Sequence, residues 1–84
     1  MAEFRFTFGV KYFYENHPCE YVHPQGYITI VASNEMEARL WFIRNFGNKF
    51  CSVHTPEQME AIYAKEDVDY WPLGELHKYV IADK

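Results

Sequence analysis

Residues 3–14 alternate along their whole length: Phe4, Phe6, Phe8, Val10, Tyr12 and Tyr14 fall on one side of an extended chain, and Glu3, Arg5, Thr7 and Lys11 on the other. Successive side chains of a strand point to opposite faces, so a period of two commits this segment to a strand with one apolar and one polar face. Such a strand belongs in an antiparallel sheet covered on a single side, because strands buried on both faces read as continuous apolar runs. The expectation is an α+β fold of two layers.

A second strand is expected over 27–32, with Ile28, Ile30 and Ala32 on one face and Tyr27, Thr29 and Val31 on the other. Ser33-Asn34 closes it. Asn34 with Glu37 three positions on reads as a capping box, and Glu35 and Glu37 suit the positive end of a helix dipole. The helix that follows places Met36, Leu40, Phe42, Ile43 and Phe46 on one broad face, and Gly47 stands where a left-handed terminal residue is needed. Trp41 falls about 140° from Met36 on the helical wheel, beside Glu37, Arg44 and Asn45. The expectation is that it lies off the buried stripe, as an anchor for another molecule.

Lys49 to Val53 reads as a short third strand, and Thr55-Pro56-Glu57-Gln58 supplies a cap, a first-turn proline and a glutamine at the third position for a second helix carrying Met59, Ile62 and Tyr63. Residues 66–74 break regular structure, and 77–82 read as a last strand. The predicted order is β-β-α-β-α-β, in one compact domain over 1–84. It makes a mainly antiparallel sheet of three to four strands with two helices on one face. A chain of 84 residues buries only about 60 to 65% of its unfolded surface, and its 16 aromatic residues supply much of the core.

Charge narrows function. The formal net charge is −4, which repels phosphate backbones and anionic lipid and favours basic partners, so neither nucleic acid nor membrane is expected. No apolar run approaches the ~20 residues of a membrane span, and Met1 leads into the first strand without the pattern of a signal peptide. A cytoplasmic location and free thiols at Cys19 and Cys51 follow as expectations. Isolated glycines give no phosphate loop, and neither cysteine has a local catalytic signature, so the chain reads as non-enzymatic and without a cofactor. His17, Cys19 and His23, with Cys51, His54 and His77 elsewhere, are metal-ligating types, but H-x-C-x3-H is a poor zinc spacing and prolines follow both loop histidines. No metal is expected.

Two candidate sites remain. The segment 57–75 carries six carboxylates against Lys65 alone, with Tyr70 and Trp71 interleaved, the anatomy of an interface with aromatic anchors inside a charged rim. Its residues Glu66, Asp67, Asp69, Tyr70 and Trp71, together with Trp41 and Arg44, form the expected partner-binding set. The second candidate is the loop 15–26, longer than a hairpin needs, where His17, Cys19, Tyr21 and His23 would serve a small ligand or nucleotide.

The run Ile28-Thr29-Ile30-Val31-Ala32-Ser33-Asn34-Glu35-Met36-Glu37, continued by Ala38-Arg39-Leu40-Trp41-Phe42-Ile43-Arg44-Asn45-Phe46-Gly47, resembles the strand and helix unit of short phage-encoded accessory proteins. That resemblance implies a non-enzymatic inhibitor in the bacterial cytoplasm that occludes a host enzyme or defence complex. Protein binding is therefore the first expectation, small-ligand or nucleotide capture the second, and a homodimer the third.

Overall fold

The computed structural model describes residues 1–8 and 21–81. Within them the strands are β1 (Ala2–Thr7), β2 (Gly26–Ala32), β3 (Ser52–His54) and β4 (Gly74–Val80), and the helices are α1 (Glu35–Phe46) and α2 (Pro56–Glu66). Their order is the predicted β-β-α-β-α-β. The continuation of the first strand toward Tyr14 and most of the 15–26 loop, His17 and Cys19 included, lie outside the described residues.

The sheet is α+β but mixed. Its strand order is β3-β1-β2-β4, with β1 antiparallel to both β2 and β3, and β4 parallel to β2. Two of the three pairings are antiparallel, as expected, and the parallel one is at the β4 edge; what differs from expectation is that the two helices do not share one face. β2 and β3 run the same way with β1 between them, so α1 is a crossover in one direction across the sheet. α2 then crosses back from β3 to β4. Right-handed connections running in opposite directions between parallel strands put their helices on opposite faces. The contacts agree: α1 covers the face of Phe6 and Phe8, whereas Met59 of α2 meets Arg5 on the other. That second face is consequently not wet, and Thr7 and Thr29 on it are buried.

The main core lies between α1 and the sheet. Phe4, Phe6 and Phe8 of the first segment, Ile28, Ile30 and Ala32 of β2, Val53, Ala38 and Phe42 form one buried cluster. Cross-strand register puts Phe6 opposite both Ile28 and Val53, so these side chains share a face. Phe42 stacks on Phe6 at 4.9 Å with an interplanar angle of 6°, and Phe50 closes edge-on to both at 5.1 Å. β4 joins with a bulge that brings Leu76 over Gly26, where a Cβ would come within 2.7 Å of the Leu76 side chain. Gly26 is required there by close approach.

Both helices begin as the sequence dictates. Asn34 Oδ1 accepts from the Glu37 N–H at 2.9 Å, although Glu37 reaches back to the Ser33 N–H rather than completing a box with Asn34. Thr55 and Gln58 make the full reciprocal box. α1 ends at Gly47 with φ +77° and its N–H on the Ile43 carbonyl.

The rotation of α1 differs from expectation. Ala38 and Phe42 face the sheet, with Trp41 and Phe46 half-buried on either flank, and Trp41 lies 4.9 Å from the Tyr79 ring and 5.8 Å from Phe46. Met36, Leu40 and Ile43 point outward at 71%, 53% and 42% exposure. The chain had five candidate apolar positions spread too widely for one sheet to cover. The flank bearing three large rings wins because it buries more area against the phenylalanines of β1, and small Ala38 lets the helix approach.

Replacing Phe42 by alanine should cost about 3 to 5 kcal/mol in urea denaturation, whereas Ile43→Ala should cost under about 1 kcal/mol. Thr29 offers the opposite sign: its Oγ1 is buried without a hydrogen-bond partner among the described residues. Thr29→Val should raise stability by about 1 kcal/mol in the same assay, since it removes an unsatisfied hydroxyl and keeps the shape.

Candidate functional site

The face covered by α2 contains a cleft of about 180 Å³. β1 contributes Arg5, β2 contributes Tyr27, and α2 contributes Met59, Glu60 and Tyr63; Val68, Asp69, Tyr70, Trp71 and Gly74 come from the connection to β4 and its first residue. Arg5 lies over the Tyr27 ring at 4.7 Å and directs a guanidinium N–H at the Met59 sulfur at 3.7 Å. Such a cation on an aromatic face is favourable by about 0.5 to 2 kcal/mol. Arg5 makes no ion pair among the described residues, and its Nε is buried without an acceptor.

Local backbone chemistry sets the rings in place. α2 ends at Asp67, left-handed at φ 54°, whose N–H returns to the Tyr63 carbonyl at 2.8 Å. Asp69 Oδ1 accepts from the Trp71 N–H at 3.0 Å, a side-chain turn, and Tyr70 donates its hydroxyl to Glu66 Oε1. That hydrogen bond, with the Glu66 charge behind it, holds the Tyr70 phenol above its usual pKa. Trp71 lies 5.7 Å from the rings of both Tyr70 and His54. Gly74, at φ +70°, closes the turn with its N–H on the Trp71 carbonyl.

The expected partner-binding set is therefore divided between two faces of the sheet. Asp69, Tyr70 and Trp71 line the cleft, Glu66 fixes Tyr70 beside it, and Asp67 is exposed at the helix end. Trp41 and Arg44 lie across the sheet, where with Glu37, Leu40 and Ile81 they line a second recess of about 230 Å³. Trp41 is no free anchor, since Tyr79 and Phe46 cover part of it. Sequence reasoning missed Arg5, Tyr27, Met59, Glu60 and Tyr63. The first two share the face opposite the core by strand alternation, and Tyr63 follows Met59 by one helical turn, so the signal was present once both faces are covered.

Of the ligand-loop candidates, Tyr21 stacks on His77 at 4.2 Å and His23 Nδ1 accepts from the Gln25 N–H at 3.0 Å. Cys51 is exposed, and His54 and His77 project from opposite faces, by their pairing with Arg5 and Ile28. Among the described residues no three His, Cys, Asp or Glu side chains converge to hold a metal ion, and no helix is long and apolar enough to cross a membrane.

Comparison with known proteins finds no matching family, curated protein or solved structure. The site is therefore read from its own chemistry.

His54, whose ring neighbours that of the cleft residue Trp71, gives the fold a pH dependence. Partial burial lowers its pKa, opposed in part by the Glu35 charge, and Ser52 Oγ lies 2.9 Å from Nε2. A folded-state pKa below the unfolded value means the unfolded chain binds the proton more readily. The stability linked to neutral His54 is complete above the ordinary histidine range and is lost as pH falls through the lowered value. The urea midpoint should drop between about pH 7.5 and about pH 5.5, and the drop should shrink in His54→Gln.

Proposed function

We propose that this chain is a non-enzymatic protein-binding module whose α2-face cleft receives a basic, extended segment of a partner. The observation that carries the reading is the cleft's make-up: Tyr27, Tyr63, Tyr70 and Trp71 around one opening, with Glu60 and Asp69 among the lining residues. Aromatic side chains give large contact area at low entropic cost, and a cationic side chain stacks on their faces while meeting the carboxylates. The surrounding acidic segment draws such a partner in, and donors of Arg5 not used on Met59 are available to a backbone carbonyl. Binding of this kind acts by occlusion. The resemblance of residues 28–47 to phage accessory proteins makes a host enzyme or defence complex in the bacterial cytoplasm the proposed target.

The second reading is capture of a small anionic ligand such as a nucleotide, moved from the 15–26 loop to this cleft. Arg5 supports it, as a guanidinium among four aromatic rings with no carboxylate partner among the described residues. The flanking carboxylates weigh against it.

NMR titration with short lysine- and arginine-rich peptides, and separately with nucleoside monophosphates, distinguishes the two. Saturable shifts at the Trp71 indole and at residues 59–63 and 68–74 are expected with peptide. Glu60→Gln with Asp69→Asn, which retains the oxygen that accepts from Trp71, should weaken peptide binding by about 2- to 30-fold. Affinity should also fall as NaCl rises from about 50 to about 300 mM. Saturation by nucleotides alone selects the second reading, and shifts that ignore salt and substitution reject the first.

A further inference from the structure

We propose that the outward face of α1 is the contact surface of a two-fold homodimer. Its exposed residues are arranged symmetrically about Leu40. Met36 lies four residues before it and Ile43 three after, and both are exposed apolar side chains. Glu37 lies three residues before and Arg44 four after, and both are exposed charges. On a helix the first pair falls along one edge of Leu40 and the second along the other, because residues seven apart lie almost in line.

A two-fold axis perpendicular to the helix and passing beside Leu40 sets a second α1 antiparallel to the first. It keeps each edge facing the same edge of the other copy and reverses only the direction along it. Met36 then meets Ile43 of the second copy, Glu37 meets Arg44, Arg44 meets Glu37, and Leu40 meets Leu40. The two copies match in charge and in hydrophobicity at once, which a face evolved merely to be solvated has no reason to do.

The unpaired state of these charges in one chain supports the same conclusion. Among the described residues neither Glu37 nor Arg44 forms an ion pair, whereas Arg39 and Glu35 on the same helix pair at 2.7 Å. Glu37 has only a long 3.4 Å hydrogen bond from the Ser33 N–H. Beside Leu40 the recess bounded by Trp41 and Ile81 leaves room for the second copy's side chains. Exposed apolar residues clustered on one face mark association surfaces, and opposite charges flanking them fix its register. The 12-residue helix spans about 18 Å, so the contact is small and the dimer weak. The α2 cleft lies on the opposite face and takes no part.

Sedimentation equilibrium of the full chain from about 10 µM to about 1 mM tests the assignment, with Glu37→Arg and Arg44→Glu made singly and mixed. The wild type should dimerise with rising concentration, and each single variant should weaken self-association at least about 5-fold by setting like charges opposite each other. Mixing the two variants should restore association as a heterodimer, since every contact is again between opposite charges. Leu40→Glu gives an independent arm and should abolish dimerisation; circular dichroism melts confirm that each variant is folded. A wild type that stays monomeric throughout overturns the proposal. So does a dimer unaffected by the single changes, or a mixture that associates no better than its components.

Discussion

The parallel pairing of β4 with β2 is the constraint on which the rest of the architecture depends. Once β2, β3 and β4 all run in one direction with β1 reversed among them, each helix has to return the chain to the same end of the sheet. The two returns travel opposite ways, and the handedness of such connections assigns them to different faces. Parallel pairing also removes the need for a solvent-facing side, which is why threonines of β1 and β2 are buried in positions that alternation had marked as polar.

Packing is uneven between the two faces of the sheet. On the α1 side the phenylalanines of β1, the isoleucines of β2 and Phe42 close a nearly dry cluster whose rings meet both stacked and edge-on, the arrangements that aromatic quadrupoles favour. On the α2 side the sole buried helical side chain among the described residues is Met59, and the sheet meets it with Arg5. A thioether over a guanidinium is a loose contact. The cleft exists because α2 covers the second face only in part, and the aromatic residues of the turn before β4 wall in what the helix leaves open.

Much of this was legible in the chain. Strand alternation, the Asn34 and Thr55 caps, the first-turn Pro56 and the stop at Gly47 are local signals, and local physics honours them to within a residue or two. Two things were not legible. Parallel and antiparallel placement of β4 depends on which edge of the sheet is free, a non-local choice that His77 to Ile81 do not encode by pattern. The facing of α1 was ambiguous because its apolar residues cover nearly half the wheel, and only the rings already present on β1 decide between Phe42 and Leu40. The site suffered accordingly. Asp69, Tyr70 and Trp71 were recognisable as an aromatic turn among carboxylates, but their separation from Trp41 and Arg44 follows from the crossovers alone.

Placing the cleft and the outer surface of α1 on either side of one sheet makes them sterically independent. Occupation of one leaves the approach to the other unobstructed, so two molecules joined back to back through α1 present a pair of clefts facing outward in opposite directions. Because the clefts point away from each other, a dimer formed as proposed would bridge two separate partner molecules rather than seat both clefts on one surface. For so small a chain, that would be a route to linking partners that asks for no larger core.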